Sequence, residues 1–493
     1  MDVPPHTGDL DLSAVTDADR LHALLRTLQA RAGLSYREVE SRTRKAGHHV
    51  SKSNVAEILK GNRYPRRESL VAIVEACGVP PGELTDWVRA WERVAAASHT
   101  GPEPDELVKS SRQEAERIVA EARLEAGAIL EAAWRRAEPP GERTAMFRGG
   151  PSRSGTYAPG IKPPSWRPWS FNAIGAASSS PVVEGRTVFL GGGGYLHAVD
   201  AFTGEENWRY QAGTVDSSAA VVDTSVYVGS GDGFIFGAWY VHSIDRHTGK
   251  SRWRFATDGP VLSSPAVAGG AVHVGCEDGR LWTLDAATGD PRWCYQSDGP
   301  VTSSPAVVHG VVYMGSQAGH LTALDARNGN VCWTVPMDGP VAASAAVVQG
   351  TVYVSTYSGR TYAMDALTGL LHWSFAPDEP INSSPAVDGT SVYVTTCEGN
   401  LWCLDAPTGR PYWKHEVGAR LDSSPVLAGG IVYVGSADGC VYAIDTETRR
   451  RRWRMQTGGA VRSTPSAAHG IVYLRSDDGR LYAIDAETGA SAL

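Results

Sequence analysis

Arg31, Arg37, Arg42, Arg44, Lys45, Lys52, Lys60, Arg63, Arg66 and Arg67 crowd into residues 31–67, where the only acids are Glu38, Glu40 and Glu57. The whole chain has a formal charge of −8, so this positive surplus is local. Cationic side chains at such density suit phosphate oxygens, and nucleic acid is the partner they predict; a merely solvated basic face is the alternative. Other chemistries find little support. "GSGDGF" at 229–234 resembles a phosphate-cradling loop, but no Lys-Ser/Thr and no helix signal come after it. Related segments, "GCEDG" and "GSADG", recur further on, which makes it a hairpin turn. "GHH" at 47–49 reads as a turn, and no Ser-His-Asp set or metal-ligand spacing emerges. The seven cysteines form no CxxC and no adjacent pair, as expected of buried thiols in a reducing cytoplasm. We expect no catalysis, no cofactor and no metal.

The elements around the basic residues read as helices. Leu21, Leu24, Leu25 and Leu28 form an apolar stripe at helical spacing. Ser35 followed by Glu38 is a capping-box pattern opening a second helix. Ser51 can cap a third, with Val50 and Val55 placed as a hydrophobic staple. "RRESLVAIVEACG" and "PPGELTDWVRAWERV" supply a fourth and a fifth, separated by Gly78 and the Pro80–Pro81 pair. Beyond them, Ala115, Val119, Ala122, Ala126, Ile129 and Ala133 keep a 4-then-3 spacing, the outline of a coiled-coil seam. A lone solvated helix and a homodimer contact are both open there. "EPPGERTAMFRGGPSRSG" then reads as a flexible linker.

The rest of the chain repeats. An Asp three residues before a Thr-Gly or its variant falls at 200, 245, 285, 325, 365, 405, 445 and 485; after the first interval every step is 40. A Trp stands eight residues later from Trp208 to Trp453, but the last unit has none. Counting twelve back from Pro181, as Trp253 precedes Pro265, lands on Trp169. Each unit reads as four short strands, and a period near 40 means a β-propeller. We expect eight blades, closed by pairing of the N- and C-terminal strands. Two features break the repeat. An apolar insertion around Phe234, Phe236 and Trp239 is a candidate contact surface, or a longer hairpin covering its own blade. The position before each "SS" pair varies, with Asp216, Asn382, Asp422 and Arg462 among its occupants. Those residues would line a channel mouth, either to hold a ligand or simply to be solvated.

These residues carry two resemblances. "SKSNVAEILKGNRYPRRESLVAIVEACGV" is similar to the Cro/phage-repressor class of helix-turn-helix domain, although "RTRKAGHHVS" makes the connection before the third helix longer than that class's tight turn. The resemblance implies that the third helix enters the major groove by its N-terminus. Lys52, Ser53 and Asn54 would then meet base edges or phosphates, with Asn54 suited to adenine. Arg37 and Ser51 would lie beside them, and Lys60, Arg63, Arg66 and Arg67 would hold phosphates. "AxDxxTGxxxW" is similar to the tryptophan-docking motif of pyrroloquinoline-quinone-type propellers, and "MFRGGPSRSGTYAPG" resembles that family's leader. The family includes quinone-dependent dehydrogenases, the non-catalytic propeller of the outer-membrane barrel-assembly machinery, and propellers attached to bacterial regulators. Its dehydrogenases use a vicinal disulfide, calcium ligands and long inserted loops; this chain has no vicinal cysteines and little room for insertions.

The expected organisation is a disordered stretch over 1–14, an all-α helix-turn-helix domain over 15–97, a helical connector and linker over 98–145, and an all-β propeller over 146–493. The acidic N-terminus has no apolar core of a signal peptide, and no apolar run is long enough to span a membrane. We therefore expect a cytoplasmic DNA-binding regulator whose ring senses a small effector or docks a protein. A scaffold that binds proteins at both ends is the alternative, and a quinone-dependent dehydrogenase a distant third.

Overall fold

The computed structural model describes residues 10–48, 50–80, 82–97, 144–158, 160–174, 179–230 and 239–491. The expected connector helix and seam lie outside them, as do Phe234 and Phe236. The chain divides into two compact units, residues 1–113 and 114–493.

Among the described residues the first unit has five α-helices: α1 (Ala18–Arg31), α2 (Tyr36–Lys45), α3 (Lys52–Lys60), α4 (Arg67–Ala76) and α5 (Leu84–Ala97). Side chains start three of them. Asp17 accepts from Arg20 N–H, Ser35 and Glu38 form a reciprocal capping box, and Ser51 accepts from Asn54 N–H. Gly61, at φ +85°, ends α3. Leu21, Leu25, Leu28, Val39, Val55, Ile58, Ile73 and Trp87 meet in one core, with Val50 buried beside Val55. Tyr64 donates to Trp91 O at 2.9 Å, and Trp91 Nε1 donates to Pro65 O at 2.8 Å, tying α5 to the loop after α3. Residues 10–14 are not disordered as expected. Leu12–Ala14 is a 3₁₀ turn capped by Asp11, and Leu10 and Leu12 pack on the core. The two leucines and the valine of "LDLSAV" had apolar surface to bury, which the acidic composition obscured.

The second unit is an eight-bladed β-propeller of separate four- or five-stranded sheets. The third blade is representative: Ala266–Ala268, Ala271–Gly275, Arg280–Asp285 and Pro291–Gln296, antiparallel in that order. The eighth joins Ser466–Ala468, Ile471–Arg475 and Arg480–Asp485 to Trp169–Asn172, with Trp169 opposite Ala483.

The repeated residues each have a physical task. Asp285 accepts from Ala287 and Thr288 N–H at 2.9 and 3.0 Å, fixing the turn. The glycine of that turn is needed twice. Its φ lies between +68° and +79° in seven blades, and a Cβ there would meet the preceding blade's Trp at 2.4–2.8 Å. The Trp lies flat on the glycine and donates to a carbonyl of the next blade, as Trp253 Nε1 does to Ala286 O at 3.1 Å. The serines divide their labour. Ser263 bridges Gly275 N and O within its own blade. Ser264 accepts from Ser218 N–H and donates its own N–H to Ser304. Seven such bonds of 2.8–3.2 Å link successive blades, including Thr464 N–H to Ser180 between the eighth and first.

The leader was expected to be flexible, and the described part of it, 144–158, is instead bound. Thr144–Met146 pairs with the innermost strand of blade two, and Thr156–Tyr157 pairs parallel to that of blade seven. Between them, carbonyls of Pro151, Ser152, Ser154 and Gly155 accept from Val307, Val347, Val387 and Leu427 at 2.8–2.9 Å. Innermost strands leave N–H groups unpaired on the channel side, and the leader supplies their acceptors. Arg153 is wholly buried and donates to the carbonyls of Phe147, Ser264, Pro265 and Pro305. Arg148, equally buried, reaches Pro385 O. Burial without a carboxylate pushes both guanidinium groups down to about 9.

Blade three carries a histidine, His273, where six blades carry tyrosine. In five of those six, Tyr227, Tyr313, Tyr353, Tyr433 and Tyr473, the hydroxyl donates to a neighbouring blade's carbonyl. His273 instead bonds Thr283 Oγ1 at 2.8 Å, and burial pushes its imidazole down to about 3. An unfolded histidine protonates near pH 6.5, so the native state loses stability as pH falls from there towards 3. His273→Tyr should therefore raise the unfolding free energy from urea titration more at pH 5 than at pH 8, by a margin of about 2 kcal/mol. An equal gain at both pH values would sink this account.

Candidate nucleic-acid interface and the faces of the ring

Helix α3 presents the candidate groove-reading residues. Lys52 and Ser53 are exposed at its N-terminus, and Ser51 Oγ lies 3.1 Å from Ser53 Oγ. Ser51 also caps the helix, so its role is at least structural. Asn54 is only half-exposed: its Oδ1 is buried and makes no hydrogen bond. The amide expected to read adenine thus faces partly into its own domain. Lys60, Arg63, Arg66 and Arg67 are exposed around the end of α3 and the start of α4, and Arg37 is exposed on α2. Six residues, 46–51, separate α2 from α3. His48 in that connection lies 3.5 Å from Glu75 of α4.

At the ring, the positions before the serine pairs fall into two kinds. Asp422 and Arg462, on adjacent blades, lie 3.8 Å apart; Asp422 also holds Arg420 at 2.7 Å, and Arg462 holds Asp477. Asn382 is exposed, and Asp216 is half-buried in the field of Arg475. Trp239 opens the strand Trp239–Asp245 half-buried, its Nε1 without a partner. Sequence reasoning missed a different apolar cluster. Leu367, Leu370 and Leu371 are 70%, 66% and 54% exposed at the Thr-Gly turn of blade five. "TGLLHW" stands there against "TGEENW" and "TGKSRW" in the first two blades, a contrast legible once the units are aligned.

The residues do not fit a pyrroloquinoline-quinone site. That cofactor's family pattern needs a vicinal cysteine pair and acids free for calcium. All seven cysteines are free thiols, and Asp422 is committed to two arginines. Among the described residues no three His, Cys, Asp or Glu converge as a metal site, and no helix is long and apolar enough to cross a membrane.

Comparison with known proteins separates the two units. Residues 20–88 match the model of a helix-turn-helix domain. Residues 163–239, 237–415 and 398–492 match the family model of outer membrane protein assembly factor BamB. No curated relative matches the sequence significantly. Among solved structures, BamB from Moraxella catarrhalis aligns with a TM-score of 0.53 at 21% identity, covering 64% of this chain and 98% of its own. The computationally designed Ika8 protein aligns at 0.55 and 17% identity, over 63% and 98%. Quinohemoprotein alcohol dehydrogenase from Comamonas testosteroni aligns at 0.58 and 14% identity, over 70% and 80%. At such identities these likenesses speak for the fold alone. By its eightfold tryptophan-docked ring and its family match, the chain belongs to the BamB family of propellers, with a helix-turn-helix domain ahead of the ring.

Proposed function

We propose that the protein is a cytoplasmic transcriptional regulator of the Cro/phage-repressor type. Its helix-turn-helix domain reads a DNA site, and its ring is a non-catalytic platform for a partner protein or small effector. The observation that carries this reading is the exposed array of Lys52, Ser53, Lys60, Arg63, Arg66 and Arg67 around α3. The ring's part rests on its exposed leucines at blade five, an apolar surface of the kind that marks protein contacts. Free thiols throughout are in keeping with a reducing compartment. The scaffold reading keeps some support from the six-residue connection before α3 and from the inward-facing Asn54 Oδ1.

Random-sequence selection with the full-length protein tests the two. The selected duplex should bind about a thousandfold tighter than a scrambled one. Lys52→Ala with Ser53→Ala should remove most of that preference, at about 1–3 kcal/mol per lost base contact. Weak binding, equal on both duplexes and erased by moderate salt, would leave generic charge attraction and favour the scaffold.

A further inference from the structure

The eightfold repeat gives every residue of one blade seven counterparts, and blade seven differs from all of them at one turn. Its segment reads "DTETRRRRWRMQ", residues 445–456. Arg449 occupies the turn position that is glycine in the other seven blades, yet holds the same left-handed backbone, at φ +61°. Its N–H donates to Asp445 O at 2.8 Å, as Gly409 N–H does to Asp405 O. Any residue with a Cβ is disfavoured there. The junction it adjoins is altered too. Seven tryptophans donate to a carbonyl of the next blade, but Trp413, their counterpart in blade six, makes no such bond. Tyr393 of blade six also turns away, lying 3.5 Å from Asp388 of its own blade.

What the turn gains is charge. Arg449, Arg450, Arg451, Arg452 and Arg454 are all exposed; Asp445 and Glu447 are the acids of the segment itself, and Asp438 of the same blade also acts on Arg454. Arg452 is held by Asp445, and Arg454 donates to Cys440 Sγ and Gln456 Oε1. Arg451–Gln456 is the outermost strand of its blade. Charge on an edge strand can guard against unwanted strand pairing. Edge protection does not account for an arginine at a turn where glycine fits every other blade.

We infer that this rim of blade seven binds the phosphodiester backbone of duplex DNA, a sequence-independent contact of the ring's own beside the reading of bases by α3. Every cation of the segment is arginine and none is lysine, and the planar guanidinium matches phosphate oxygens bidentately. The inference deepens the regulator reading and rests on it for the choice of DNA over an acidic protein.

The test compares the full-length protein with a triple variant, Arg450→Gln, Arg451→Gln and Arg454→Gln, which leaves the Arg452–Asp445 pair intact. Binding to the selected and scrambled duplexes is measured across a range of salt. The slope of log affinity against log salt should fall by about 2 to 3 in the triple variant. Affinity should drop by the same factor on both duplexes, leaving their ratio unchanged. A separate Arg449→Gly variant should melt at a higher temperature than the parent while binding DNA more weakly. An unchanged slope in the triple variant overturns the inference. So does an unchanged slope with poly-glutamate captured by the parent and not by the variant, which would assign the rim to an acidic protein. If the Lys52→Ala, Ser53→Ala variant loses sequence preference while the rim leaves the slope untouched, the rim alone is wrong. If no variant shows preference but the slope still falls, the α3 reading fails and the rim stands.

Discussion

Arg153→Met will lower the unfolding free energy of the ring by roughly 3–5 kcal/mol, seen as an earlier urea transition in the β-sheet circular dichroism of the full chain. Methionine nearly fills the volume, so no large cavity opens. The loss comes from the carbonyls of Phe147, Ser264, Pro265 and Pro305, which belong to the leader and to blades three and four. Each becomes a buried acceptor without its donor. With its guanidinium near 9, Arg153 is still charged at neutral pH, and these carbonyl dipoles stand in for water around the cation. Arg153→Lys should fall between parent and methionine variant, because one ammonium cannot fork to acceptors on separate strands. A methionine variant as stable as the parent would show that the leader is not fastened in this way.

Gly409→Ala should cost about 3–5 kcal/mol by the same measurement, against about 1 kcal/mol for Gly310→Ala. The backbone is nearly identical at both, φ +72° and +73°. Their surroundings differ. A Cβ on Gly409 would come within 2.4 Å of the Trp373 ring, whereas nothing lies within 4 Å of one on Gly310. Trp373 would have to move and would lose its 2.8 Å bond to Ala406 O. Equal costs for the two substitutions would mean that the turn angle alone matters and the tryptophan contact adds nothing.

The ring was legible because its instructions are local and repeated. Asp285, Gly289 and Trp293 lie within nine residues; the fourth, fifth and sixth units restate all three marks, and the seventh keeps the Asp and the Trp with Arg449 in place of the glycine. Counting by that rule located Trp169, which pairs opposite Ala483. The caps at Ser35 and Ser51 were legible for the same reason: a cap bonds a backbone N–H three residues on. The leader was not. Its contacts join backbone groups and two buried arginines to distant residues, 237 positions away for Arg148 and 111 for Arg153, and "FRGGPSRSG" has the composition of a linker. The inward turn of Asn54 was also hidden, since sequence places a residue on a helix but not the depth of its side chain. Blade seven lay in plain view at Arg449 and went unread because the Asp and Trp marks around it kept the spacing.

The placement of residues 144–172 has a consequence for assembly. These residues emerge early in synthesis, yet their partners are spread over blades two to eight, and Trp169 waits for Ala483. Thr464 and Ser180 are separated by 284 positions. The helical unit, by contrast, completes its core within residues 10–97. Contacts of such long range make folding slow and leave strand edges open meanwhile. On the ribosome, a finished helical unit would therefore precede a ring whose inner lining and eighth blade stay unsatisfied until the strand around Ala483 is made.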